Sequence, residues 1–392
     1  MKKKICFVLD QFLYGGIERV AINYLSIIDK NEYDIDVVIL SNTEKMIEQI
    51  PKECNIVQIN IPRQHNPLSR ASTMVRRDAG AILYYGTYIL KRLFIFPQDY
   101  IKTLKLRKVK YDTVIAFSGH MNDCYVALKF IRANYKIVWA HGMIFQYLLL
   151  SPAFEKMYKK FDKIVTINNI DQDDLFNYKP YLNYKIEKLY NPVVLNNNLK
   201  TNRIDLVKKY GEYFLTVARM DEPKDFFTLI DAYEIYFKKY SKKYKLLLVG
   251  DGPDRKKIEK YIKLKKMEDN ILIMGSQDDV DNFYSHAKLF ILSSKTEGLP
   301  TVIIEAMSRS LPIVATDALY GCRDIIGNDE YGIIVPVGDS TMLADKINYL
   351  IKNKDVYDHY KKKSIERYKY FLPNKIIKEF YRIIDNSEKN RG

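Results

Sequence analysis

Short apolar runs of four to seven residues recur along this 392-residue chain, each followed by a polar or glycine-containing turn and then a stretch of helical period. That rhythm limits the fold more than any other feature. Uninterrupted apolar runs suit strands buried on both faces, and strands that alternate with helices build a parallel sheet with helices packed on either side. The first half offers Ile5–Leu9, Ile35–Leu40, Ile56–Ile59, Thr113–Phe117, Lys136–Ala140 and Lys163–Ile167. After a polar stretch from Asn191 to Thr201 the rhythm restarts with Tyr213–Ala218, Lys245–Val249, Ile271–Met274, Leu289–Leu292, Pro312–Ala315 and Ile333–Pro336. The expected fold is α/β, with two Rossmann-like doubly wound domains facing across a cleft. The expected domains are residues 1–195, 196–373 and a closing helical segment 374–392, set off by Pro373, that packs back on the first domain.

The length suits two cores of ordinary size. A formal net charge of +15 favours an anionic partner, a polyanion or a membrane surface, and does not choose between them. An AT-rich coding sequence would give the same abundance of Lys, Ile, Asn and Tyr. Four scattered cysteines, Cys6, Cys54, Cys124 and Cys322, form no metal-binding spacing and read as thiols of a reducing cytoplasm. The apolar run after Met1-Lys2-Lys3-Lys4 is too short for a signal peptide. The uncharged stretches, Ala79–Leu90 among them, fall short of the roughly 20 apolar residues that cross a bilayer.

One segment breaks the rhythm. Residues 63–110 carry eleven Lys or Arg against Asp78 and Asp99, with Leu83, Tyr84, Tyr85, Tyr88, Leu93, Phe94 and Phe96 interleaved. This mixture suits an amphipathic surface on anionic lipid. An ordinary helix pair with a solvated basic face has the same composition.

Candidate chemistry concentrates at strand ends, where open α/β sheets bind ligands. In Leu289–Met307 a strand runs into Glu297-Gly298-Leu299-Pro300 and a helix from Thr301 to Ser308. Free N–H groups at such a helix start attract an anion, with Glu297 and Glu305 nearby. Arg219 follows a strand and Lys224 precedes a helix; they read either as a diphosphate clamp or as surface partners of Asp221, Glu222 or Asp225. Gly250 and Gly252 permit close backbone approach after a strand, with or without a ligand. Gly15-Gly16 opens the first βα unit but is not a full dinucleotide fingerprint. His120 and His141 stand at strand ends; His65, His286 and His359 do not. No metal-ligand spacing, phosphate loop of the GxxxxGK[ST] type or GxSxG elbow occurs, and Asp173-Asp174 sits in a polar stretch with no strand before it.

Together these motifs resemble the family-four retaining glycosyltransferases of the GT-B fold. The resemblance rests on Arg219…Lys224, Gly250-Asp251-Gly252-Pro253, Glu297-Gly298-Leu299-Pro300…Glu305 and Tyr331-Gly332…Val335-Pro336, and extends more weakly to Gly15-Gly16 and His141. It implies that Arg219 and Lys224 bind a donor diphosphate, Glu297 contacts sugar hydroxyls and Glu305 holds the ribose. Backbone N–H groups of Gly298, Leu299 and Thr301, around Pro300, would cap the diphosphate. Gly16 would approach phosphate or acceptor, Gly250 would line the nucleotide side, and His141 would meet the transferred sugar. The family needs no metal or other cofactor beyond its nucleotide-sugar donor, most often a UDP-sugar. Two departures stand out: Ala218 replaces a common glycine, and Gly321-Cys322-Arg323-Asp324 replaces the usual Gly-Pro-x-Glu.

The expected activity is hexosyl or N-acetylhexosaminyl transfer to a lipid-linked or growing glycan. The setting would be synthesis of a bacterial surface polysaccharide such as capsule, exopolysaccharide or O-antigen, by a cytoplasmic enzyme peripheral on the inner membrane face. Domain closure would be its conformational step. A nucleotide-sugar epimerase of similar plan and a basic nucleic-acid-binding protein are the alternatives; the second lacks any base-reading motif.

Overall fold

The computed structural model describes residues 2–10, 12, 15–40, 46–59, 106–141, 152–194 and 205–385. These fall into two units. The first comprises residues 1–167, 171–189 and 377–392, and the second residues 168–170 and 190–376. Most of the basic, aromatic segment 63–110 lies outside the described residues, as does the run 195–204.

The first unit holds a seven-stranded parallel sheet. Its strands are β1 (Lys3–Leu9), β2 (Tyr33–Ile39), β3 (Asn55–Gln58), β4 (Lys110–Ala116), β5 (Arg132–Ala140), β6 (Lys163–Thr166) and β7 (Ile186–Lys188), in the order β3-β2-β1-β4-β5-β6-β7. The chain starts in the middle, builds outward to one edge, then crosses over and builds to the other. β1 pairs with β2 and β4, and Ile5, Cys6, Phe7, Val8 and Leu9 are all buried. Burial on both faces explains why β1 reads as an unbroken apolar run. Phe380, from the Pro373–Asp385 helix, belongs to this unit; its ring stands 5.2 Å from Tyr24, 6.1 Å from Trp139 and 6.3 Å from Phe7.

The second unit repeats the plan with six parallel strands: β8 (Tyr213–Val217), β9 (Lys245–Val249), β10 (Ile271–Gly275), β11 (Leu289–Leu292), β13 (Ile313–Thr316) and β15 (Ile333–Val335), ordered β10-β9-β8-β11-β13-β15. A separate two-stranded ladder joins β12 (Thr296–Glu297) to β14 (Leu319–Tyr320). Helices Phe226–Lys239 and Ser340–Lys352 bury Leu229, Ile230, Tyr233, Leu343, Ala344 and Ile347 against the sheet.

Strand ends differ from the sequence reading by up to a few residues. β7 and the β12–β14 ladder, each two or three residues long, carry no periodicity and were not read. Asp173 and Asp174 lie on the helix Asn169–Tyr178, which does follow a strand, β6. The polar composition of that helix obscured the βα step.

Candidate active site

Both sheets reverse their winding direction once, the first between β1 and β4 and the second between β8 and β11. At such switch points neighbouring loops diverge and leave a crevice at the carboxyl ends of the strands. In the second unit, the loop after β8 carries Arg219 and Lys224, and the loop after β11 carries Glu297.

The β8 loop is held by close backbone packing. Ala218 N–H donates to Val249 O and Met220 N–H to Asp251 O. Gly250, at φ +135°, passes so near that a Cβ there would lie 2.0 Å from Ala218 O; one on Gly252 would lie 2.3 Å from Met220 O. These two glycines therefore make room for the Arg219 turn. Asp251 accepts from its neighbour Gly252 N–H and pairs with Arg255 at 3.0 Å. Arg219 itself is two-thirds exposed and ion-paired with Asp221. Its partner is thus one of the acidic residues expected for a surface pair, while its guanidinium stays open to solvent.

Lys224 behaves differently. Its partner is no neighbour in sequence: Nζ lies 2.6 Å from Glu297 Oε1, with Lys224 22% and Glu297 9% exposed. Ser294 Oγ donates to the same oxygen at 2.7 Å, and Ser293 Oγ donates to Lys224 O at 2.9 Å. The serine pair after β11 thus fixes both members of the ion pair, one by its backbone and one by its side chain.

Behind Glu297, Gly321 N–H donates to Glu297 O at 2.9 Å. A Cβ on Gly321 would stand 2.2 Å from Gly298 O and 2.8 Å from Leu299 Cα, so only glycine lets this segment brace the loop. Asn168 Nδ2 donates to Gly298 O, and Leu299 is buried. The helix spans Thr301–Ser308 with Pro300 at its N-cap, one position before the expected first helical residue, and no side chain caps it. Ile303 N–H donates to Pro300 O at 2.9 Å, so an anion at this helix start would meet the N–H groups that precede it.

Glu305 lies one turn along this helix, and its Oε2 accepts from Tyr284 Oη at 2.9 Å. Asp324, the departure noted above, serves structure: it accepts from Asn169 N–H and Nδ2, and Arg367 holds its carbonyl.

The carboxyl edge of the first sheet gathers a separate set. Gly16 opens the Gly16–Ile27 helix, with nothing within 4 Å of where a Cβ would stand. His141 Nε2 lies 2.8 Å from Phe117 O, which fixes the proton on Nε2 because a carbonyl only accepts. Burial beside the Phe117 and Trp139 rings pushes its pKa down to about 3, so the ring is neutral. His120 Nδ1 stands 3.4 Å from Asp10 Oδ2. Burial pulls the His120 pKa down, but the hydrogen bond to Asp10 and the charges of Asp123, Asp10 and Glu18 outweigh it and leave it raised. Asp123 is fully buried, accepts from Gly119 N–H, and is pushed up to about 7 by burial against the opposing pull of His120.

Among the described residues no group of three His, Cys, Asp or Glu side chains converges to hold a metal, and no helix is long and apolar enough to cross a membrane. Sequence reasoning missed Ser294 and Tyr284; it named Gly321 within the Gly321–Asp324 stretch but not its bracing of the Glu297 loop.

The chain is similar in structure to HepE of Anabaena, solved with UDP and glucose, with a TM-score of 0.73 at 16% identity, covering 98% of this chain and 100% of that one. The architecture is the α/β GT-B fold. Residues 200–367, which contain Arg219, Lys224, Glu297 and Glu305, match the family model of the glycosyl transferases group 1. An uncharacterized glycosyltransferase of Haemophilus influenzae is 26% identical over 98% of this chain and 100% of its own length. A Campylobacter jejuni N-acetylgalactosaminyltransferase, named for its N-acetylgalactosamine-N,N'-diacetylbacillosaminyl-diphospho-undecaprenol acceptor, is 27% identical over 57% of this chain and 60% of its own. The second half of the chain thus matches the group 1 glycosyltransferases, and the chain as a whole is similar to glycosyltransferases along its length. Neither an epimerase nor a nucleic-acid-binding protein finds support in these relatives.

Proposed function

We propose that this glycosyltransferase moves a hexose or N-acetylhexosamine from a nucleoside-diphosphate sugar to a lipid-linked or growing glycan, with retention, in the synthesis of a bacterial surface polysaccharide. The observation that carries this reading is the meeting of Lys224 and Glu297 at the switch point of the second sheet. A cation and a carboxylate drawn from two loops lie beside an uncapped helix start. Those are the groups that a diphosphate joined to a polyhydroxylated ring requires.

In this reading Lys224, Arg219 and the N–H groups around Gly298–Thr301 take the diphosphate, Glu297 takes sugar hydroxyls and Glu305 takes the ribose. The bond from the anomeric carbon to the phosphate oxygen breaks, and its electron pair stays on the phosphate. The acceptor oxygen bonds to the same face of that carbon, and its proton passes to the departing phosphate. The cations stabilise the charge growing on the leaving group, which is the step such preorganised groups accelerate most. With two cations and a helix start in that role, the reading requires no divalent metal. Neutral His141 would offer its Nδ1 lone pair to a sugar hydroxyl.

UDP is the favoured carrier, supported by the UDP with which HepE was solved; a polyprenyl-diphosphate acceptor is supported by the name of the Campylobacter relative. Such an acceptor lies at a membrane, which the basic, aromatic segment 63–110 would contact. Neutralising Arg76, Arg77, Lys91 and Arg92 should then weaken binding to anionic liposomes; unchanged binding would remove the docking idea.

The primary test is turnover of a panel of UDP- and GDP-sugars with polyprenyl-diphosphate acceptors, read by the anomeric configuration of the product, with and without EDTA. Retained configuration, persistence in EDTA and loss of turnover in Lys224→Ala and Glu297→Ala are expected. Full activity in both variants refutes the site. A trapped glycosyl-enzyme adduct would replace same-face attack with double displacement.

A further inference from the structure

The Tyr284 hydroxyl reaches the proposed donor site from outside the loops already described. Tyr284 sits on the short helix Val280–His286, started by Asp279 accepting from Asn282 N–H. Its ring is 2% exposed and packs 5.7 Å from Phe290 of β11. A phenylalanine would fill this apolar place equally well, without a hydroxyl to be removed from water. A buried phenol needs a hydrogen-bond partner, and this one donates at 2.9 Å to Glu305 Oε2. Donation to a carboxylate is the stronger, charge-assisted kind. The same short helix is tied again to the end of the Thr301–Ser308 helix, where Arg309 Nε meets Asp281 Oδ1 at 2.5 Å. Two polar links therefore set the Val280–His286 helix against the helix that carries Glu305.

We propose that Tyr284 is a positioning residue of the donor site: its hydroxyl holds the Glu305 carboxylate in the rotamer that receives the ribose hydroxyls of a nucleoside diphosphate. A glutamate side chain has three rotatable bonds, and a ligand that must order it binds more weakly than one that finds it ordered. The tyrosine does that ordering before the ligand arrives and touches no substrate itself. The inference rests on the donor reading above and adds the device by which ribose is told from deoxyribose.

The test needs no acceptor and no knowledge of the sugar. Binding of UDP, GDP and ADP to the full chain is measured by calorimetry. The tightest of the three is then compared with its 2′-deoxy counterpart in the wild type, Tyr284→Phe, Glu305→Ala and the double variant, with thermal unfolding of each. The wild type should prefer the ribose form. Tyr284→Phe should bind the ribonucleotide about tenfold more weakly, as loss of a hydrogen bond to a charged group predicts. It should lose most of the preference over the deoxy form and leave the double variant no worse than Glu305→Ala alone. Wild-type affinity and preference in Tyr284→Phe would overturn the proposal. So would equal weakening of both nucleotides with a lowered melting temperature, which marks a packing role only. A wild type that binds none of the three overturns the donor reading, and this inference falls with it.

Discussion

At the residue scale the ion pair of Lys224 with Glu297 has the sharpest consequences. Both side chains are largely removed from water, so deleting one leaves an uncompensated charge. Lys224→Ala should therefore lose stability as well as turnover. Glu297→Gln keeps an oxygen for Lys224 and Ser294, and should fold normally while losing roughly 10²- to 10³-fold in kcat; steady-state kinetics beside a melting curve separates the two effects. Asp123 gives a pH-dependent counterpart. Its folded pKa of about 7 lies above that of an unfolded aspartate, so its stability contribution is complete below about pH 4 and is lost as pH rises through 7. His120, also raised, acts in the same direction above its ordinary value. His141, held near 3, acts oppositely: its contribution is present above about pH 6.5 and lost as pH falls toward 3. Asp123→Asn should accordingly gain stability over the wild type as pH rises from 4 to 8, by on the order of 2 kcal/mol in denaturant titrations. A difference that does not change with pH would contradict the assignment.

At the scale of elements, the site is made by loops forced close together. The turn after β9 packs against the turn after β8 through Gly250, where both the positive φ and the 2.0 Å approach to Ala218 O exclude a side chain. Gly250→Ala should destabilise the second unit by about 3 kcal/mol or more, since neither the strained backbone nor the facing carbonyl can yield cheaply. Gly321→Ala meets only the Gly298–Leu299 backbone at the end of the two-residue β14 strand. It should shift that loop, raise KM for the nucleotide sugar severalfold and leave the melting temperature less affected than Gly250→Ala does; nucleotide titration beside thermal unfolding of the two variants checks this order.

At the scale of the whole molecule, the last described helix completes the core of the first unit, although most of the second unit precedes it in the chain. Phe380 is fully buried among Phe7, Tyr24 and Trp139, and Asp385 pairs with Lys3 at 2.9 Å and accepts from Tyr33 Oη at 3.2 Å. Phe380→Ala should cost about 3–5 kcal/mol, seen as earlier unfolding of tryptophan fluorescence, because Trp139 is the chain's one tryptophan and lies against that ring.

The amino-acid sequence by itself determined the two parallel sheets, their main strands and the Thr301–Ser308 helix. Buried strands and their covering helices write their burial directly into local periodicity, which needs no knowledge of distant contacts. It also marked Arg219, Lys224, Glu297 and Glu305 as strand-end or helix-borne charges. The two-residue strands β12 and β14 escaped because so short a ladder has no period to detect. Which charges meet was decided only by tertiary structure. Lys224 had three acidic neighbours in sequence, yet strand order places β8 beside β11 and gives it Glu297, 73 residues away. The roles of Ser294, Tyr284 and Gly321 are likewise decided only there, since a hydroxyl's partner and the room for a Cβ are properties of the packed neighbours and not of the residue's own stretch of chain.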